Sequence, residues 1–314
     1  MNNVFIRIIG NMKWNIYSKL WMILFVLMGA ACTNQVEDAI PVSGQPIEFS
    51  VQSDWKEIPN TRLNDGKMNF GAKDTIQIFG FHTSLKNEVQ KFMYRVGNRA
   101  RGQKVGFDGK KWNYSPKRFW PKEGTLDFYV GYPEYSVLND EDNHRMTYEQ
   151  TVNPLQLDLL WGVATNRDCA TARNDTVKIW MVHALAKVNI FFDSSLGEIK
   201  QAKVSAYKAG YFSSADNGVP IWIVDDKTDI QTAFVPSSTN QERIVDATVF
   251  ILPEKITGLK LINKLDGTEI DVSDKIQKYT FKAGKEYNLK ISKGVQKKNT
   301  NSRSIAMSVR CVSE

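Results

Sequence analysis

The sequence predicts an all-β protein of the sandwich type, and three observations predict it. Short apolar segments alternate with polar residues at a period of two, and Gly, Pro, Asn and Asp cluster between them. No window keeps apolar residues at three- and four-residue spacing for more than about two turns before Gly or Pro interrupts it. Ile47, Phe49 and Val51 against Glu48, Ser50 and Gln52 place one face of a first strand, 46–55, in a core. Further strands are expected at 75–81, 92–96, 125–132, 177–192, 204–207, 221–224, 247–252, 260–265 and 286–291. Many short strands with turns between them argue for β-sandwiches. The break Asp193-Ser194-Ser195-Leu196-Gly197, after the long apolar run, divides the chain. Domains are therefore expected at 46–193 and 194–295, with a polar tail, 296–314, beyond them, of which 296–304 is expected to be mobile.

Ahead of the strands, Arg7, Lys13 and Lys19 precede an uncharged apolar stretch, 20–31. A bilayer crossing needs about 20 predominantly apolar residues, so this shorter stretch reads as a signal peptide, 1–31. Gly29-Ala30-Ala31 lead into Cys32, the small-residue exit that lets a lipoprotein signal peptidase reach the thiol. Cys32 is expected to be the lipid attachment residue, carrying diacylglycerol and palmitate. Each buried methylene contributes about 0.8 kcal/mol, so several chains hold a soluble domain at a membrane. Residues 32–45, with Glu37, Asp38, Pro41, Ser43 and Gly44, are polar and aperiodic and suit a tether.

Removing residues 1–31 from a 314-residue chain leaves 283, which at about 100–200 residues per domain suits two. The formal charge of +7 falls to +4 with the three signal cations gone. Nucleic acid is not an expected partner. The segment 91–118 holds nine Lys and Arg against Asp108 alone, and reads as a solvated hairpin face or a patch for anionic glycans or acidic surfaces. Catalysis finds no Gly-Xaa-Ser-Xaa-Gly, no His-Glu-Xaa-Xaa-His and no phosphate loop, so no enzyme and no cofactor is expected. His183, inside an apolar strand, reads as a buried imidazole bonded to backbone. Asp140-Glu141-Asp142 and Asp225-Asp226 with Asp229 lack the spacing of a calcium loop, so no metal is expected. Trp55, Trp112, Trp120, Trp161, Trp180 and Trp222 read as core where they fall in strands, with sugar stacking the other use of an indole. Cys169 and Cys311 either pair or stay reduced.

Several ordered motifs carry a family resemblance. They are Thr61-Arg62, Asp74-Thr75-Ile76-Gln77-Ile78-Phe79, Trp112, Trp120-Pro121, Leu126-Asp127-Phe128-Tyr129 and Tyr132-Pro133. Val177-Lys178-Ile179, His183-Ala184-Leu185-Ala186-Lys187-Val188, Leu252-Pro253, Phe281, Ala283-Gly284-Lys285 and Tyr287 follow. In this order they resemble the fimbrillin family, the subunits and accessory lipoproteins of type V pili, over nearly all of the chain after Cys32. The resemblance implies two tandem transthyretin-like β-sandwiches at the outer membrane surface. It also implies cleavage after an arginine, here between Arg62 and Leu63, which releases the first strand so that a neighbouring subunit's strand can take its place. Other fimbrial subunits are the implied partners. The C-terminus departs from the family's usual ending, closing on Ser308-Val309-Arg310-Cys311-Val312, which favours an accessory, tip or anchor role. The other expectation is a surface lipoprotein that binds glycan or host protein without polymerising.

Overall fold

In the computed structural model, residues 40–53, 63–64, 67–68, 70–139, 145–151, 155–214, 218–234, 247–294 and 306–313 are described. The early strands are β1 (Val42–Pro46), β2 (Phe49–Ser53), β3 (Leu63–Asn64), β4 (Lys67–Met68), β5 (Thr75–Thr83), β6 (Val89–Met93), β7 (Gln103–Phe107) and β8 (Trp112–Asn113). Next come β9 (Phe119–Pro121), β10 (Thr125–Tyr132), β11 (Val137–Asn139), β12 (Met146–Glu149), β13 (Leu160–Asp168), β14 (Val177–His183) and β15 (Ala186–Phe192). The later strands are β16 (Ile199–Ser214), β17 (Pro220–Phe234), β18 (Ala247–Ile251), β19 (Ile256–Asn263), β20 (Glu269–Asp271), β21 (Glu286–Gly294) and β22 (Ala306–Ser313). Helix among the described residues is confined to single turns at Cys169–Ala172, Ser194–Leu196 and Ser273–Ile276. The expected all-β class is what the structure shows.

Three sheets carry the architecture of residues 44–314, which form one compact unit. The first runs β2-β14-β13-β10-β5-β7-β8, with β6 also paired to β5. Its centre is buried on both faces: Ile76, Ile78 and Phe79 of β5 and Leu126, Phe128 and Val130 of β10 are at most 1% exposed. Strands with two buried faces lose the alternation that marks a half-exposed strand. The second sheet runs β11-β12-β16-β19-β20, with β17 along β16, and the third runs β18-β15-β21-β22. Ala202, Val204, Leu259 and Leu261 of the second pack with Val188, Ile190, Val249 and Leu289 of the third in one core. Another core, holding Phe79, Phe81 and Trp161, joins the first sheet to Met146 and Phe212 of the second.

Two features differ from the sequence reading. The apolar run 177–192 is two strands in different sheets, because the chain is pinned between them by its own backbone. Ala184 N–H donates to Leu159 O (2.8 Å), Gly284 N–H donates to Leu185 O (2.9 Å), and Trp222 Nε1 donates to Ala184 O (2.7 Å). Strands 137–139 and 146–149 accordingly share a sheet with 199–214. The second difference is at the C-terminus: within the stretch read as a polar tail, Ala306–Ser313 pairs antiparallel with β21, from Tyr287↔Ser313 to Gly294↔Ala306. The stretch 296–304, expected to be mobile, lies outside the described residues.

Candidate functional site

The first sheet ends at β2, an edge strand. It lies parallel to β14, in register from Val177↔Phe49 to Met181↔Ser53. Among the described residues β2 carries a ladder on that edge only. Alternation turns Phe49, Val51 and Ser53 inward, all at most 6% exposed, and Ser50 and Gln52 outward. The Phe49 ring meets Phe128 edge-on at 5.3 Å and Tyr114 at 5.8 Å. Burying Phe49 and Val51 stabilises the seat by about 1.5–3 kcal/mol each.

The residues just before β2 are tied to the loop that joins β8 to β9. Ile47 is fully buried; its N–H donates to Arg118 O (2.9 Å) and its carbonyl accepts from the Tyr114 hydroxyl (2.8 Å). Burial pushes the Tyr114 phenol up to about 12, so it stays a donor across the physiological range. The carbonyl of Glu48 accepts from Val177 N–H (2.8 Å).

Of the site residues expected from sequence, Cys32 and Arg62 lie outside the described residues, as does Trp55. Leu63 opens the short hairpin of β3 and β4, paired with Met68. The first strand, expected over 46–55, is described as β2 from Phe49 to Ser53.

The basic segment 91–118 is partly spent on its own surroundings. Arg95 and Lys104 both pair with Glu134, Arg99 lies 4.7 Å from the Tyr94 ring, and Lys117 lies 4.6 Å from the Tyr114 ring. Burial opposes the Glu134 charge, but hydrogen bonds from Lys104 and Arg95 outweigh it and hold the carboxyl below its usual range. His183 is buried as expected, but its Nδ1 partner is the Asp158 carboxylate rather than a backbone group. The periodic pattern placed His183 in a core and could not place Asp158, which no strand carries. Trp180 also departs from expectation: it sits in β14 and is 44% exposed, whereas Trp112, Trp120 and Trp161 are buried. Cys169 is a buried free thiol. Asp225 serves a turn, accepting from Lys227 N–H at 3.0 Å, and no group of three metal-ligating side chains occurs among the described residues.

A family model described as fimbrillin-like matches residues 61–306. The chain belongs to the fimbrillin-like family. Among solved structures, this fimbrillin-like chain is similar to a candidate cell adhesion protein of Bacteroides uniformis ATCC 8492. The identity is 16%, the match covers 85% of this chain and 97% of that one, and the TM-score is 0.51. It is also similar to a candidate cell adhesion protein of Bacteroides ovatus ATCC 8483, at 14% identity, 85% and 96% coverage and a TM-score of 0.52. At these identities the likeness is one of fold. No curated protein matches the chain.

Proposed function

We propose that this chain is a structural or accessory subunit of bacterial surface fimbriae that contributes to adhesion and is not an enzyme. In this reading the signal 1–31 exports it, Cys32 carries the lipid that holds it at the outer membrane, and cleavage between Arg62 and Leu63 prepares it for β-strand complementation by a neighbouring subunit.

The observation that carries the reading is the seat of β2. Cleavage after Arg62 would free residues 33–62, and with them β2, leaving the β14 edge unpaired beside a cleft walled by Phe128 and Tyr114. An open backbone edge next to an apolar groove takes up an added strand, because the newcomer satisfies both at once. The fimbrillin-like match beginning at Thr61 supports the same division, since β2 lies upstream of it. The two similar structures, described as candidate cell adhesion proteins, support a role at the surface. The pairing of β22 with its own chain's β21 favours an accessory or anchor position over the stalk.

The test is the intact mass and N-terminal sequence of the protein recovered from cells, with and without a trypsin-like protease, for the natural chain and for Arg62→Ala. A start at Leu63 in the natural chain, absent from the variant, is the expected result. A chain that still begins at lipidated Cys32 after protease treatment overturns processing, and points to a solitary binding lipoprotein.

A further inference from the structure

A cleft of about 620 Å³ lies along β2, between it and the β7–β8 hairpin. That volume falls within the roughly 300–1,000 Å³ of small-molecule sites. Ser50 and Gln52 line one wall from β2, with Glu48 just before them. Trp180 lines the same wall, directly across from Gln52 in the parallel ladder. Lys110 and Lys111 of the hairpin turn line it from the other side, together with Phe70, Phe107 and Trp112.

The exposure of Trp180 is what the fold leaves unexplained. An indole 44% exposed on a central stretch of β14 keeps a large apolar area in water, where the pattern of β14 required only a polar side chain. The hairpin opposite is built to hold its lysines in place. Asp108 Oδ1 accepts from the N–H groups of Lys110 (2.8 Å) and Lys111 (2.9 Å), Asp108 Oδ2 accepts from Asn113 Nδ2 (2.7 Å), and Gly109 turns the chain at φ +96°. A rigid turn loses little freedom when a ligand meets it.

We propose that this cleft binds an anionic oligosaccharide. A pyranose ring presents one face of C–H groups, which packs on the exposed Trp180 indole. Its hydroxyls exchange hydrogen bonds with Gln52 and Ser50, which offer donors and acceptors. A carboxylate or sulfate on the sugar meets Lys110 and Lys111, whose two charges outnumber that of Glu48. One wall is built on β2, so the site exists only while the first strand is in place. The proposal does not rest on the fimbrial reading, because the cleft is present in the chain as described; if processing occurs, binding belongs to the unprocessed form.

The experiment titrates the whole uncut chain with trigalacturonate, a heparin tetrasaccharide and neutral maltotriose, following tryptophan fluorescence and calorimetry. Saturable binding of at least one acidic probe, stronger than that of maltotriose, is expected. Trp180→Ala should weaken it by about tenfold or more, the equivalent of about 1.4 kcal/mol. The double variant Lys110→Ala with Lys111→Ala, on an exposed turn, should remove the preference for acidic over neutral sugar and leave the thermal midpoint unchanged. Absence of saturable binding by both acidic probes at millimolar concentration overturns the proposal. So does acidic-probe binding that neither variant alters.

Discussion

Truncating Phe49 to alanine tests the seat of the first strand most directly. The side chain is 5% exposed and its ring touches two others, Phe128 at 5.3 Å and Tyr114 at 5.8 Å. Loss of a buried phenylalanine costs about 3–5 kcal/mol, transfer and cavity together. Aromatic pairs are worth about 0.5–1.5 kcal/mol beyond their area, so two lost pairs keep Phe49→Ala clear of the lower end, at about 4 kcal/mol. At about 2–4 °C per kcal/mol for a chain of this size, the thermal midpoint should fall by roughly 8–16 °C. Urea unfolding followed by far-UV circular dichroism gives the free energy, with Gln52→Ala, outward on the same strand, as the control; it should stay within about 0.5 kcal/mol. In a chain cut after Arg62, the same substitution should speed release of the first strand. A loss below about 1 kcal/mol for Phe49→Ala, or an equal loss for Gln52→Ala, refutes the assignment of an inward apolar and an outward polar face.

Three further outcomes follow from the structure. A Cβ at Gly102 would stand 2.9 Å from the backbone of Ile78, which cannot step aside in the middle of a sheet, so Gly102→Ala should lower stability by about 1–3 kcal/mol in the same urea assay. Burial, and then the charge of Asp168, push the Cys169 thiol up to about 12, so it should resist alkylation by iodoacetamide at pH 8 in the folded chain and react once the chain is denatured. Asp193 is pushed down to about 2, first by the Ser195 N–H, then by the Ser195 hydroxyl and Lys290. A folded value below the unfolded 3.8 means that its contribution is fully present above that pH and is lost as pH falls towards 2. Carboxyl titration by NMR should show this value rise only part of the way towards the ordinary range in Ser195→Ala, which removes the hydroxyl but keeps the backbone N–H and Lys290.

Much of the fold was legible because period-two alternation reports a local property, which face of a strand is wet. The 125–132 strand was read to the residue, and Ile47, Phe49 and Val51 were assigned to a core they occupy. The signal was weaker where strands are short or lack alternation. Leu160–Asp168 begins with a run of buried residues and ends exposed, and 103–107 and 146–149 sit among turn residues, so none stood out. Of the candidate site, the motif at Thr61-Arg62 and the strand before it were visible in sequence; the exposed Trp180 and the turn that faces it were not. Trp180 occupies a strand position like the buried tryptophans, and only the placement of β2 and the β7–β8 hairpin around it decides that it meets a cleft.

By itself the sequence determined the class of the protein, its fimbrillin-like kinship and the inward face of its first strand, because each is written in local pattern or in ordered motifs. Tertiary structure alone decided which strands are neighbours. It sent 177–183 and 186–192 to different sheets, set β2 parallel to β14 at an edge, and gave the C-terminal strand to β21. Backbone hydrogen bonds pair any two strands irrespective of side chains, so the choice among partners rests on long-range packing, which no local window of sequence contains.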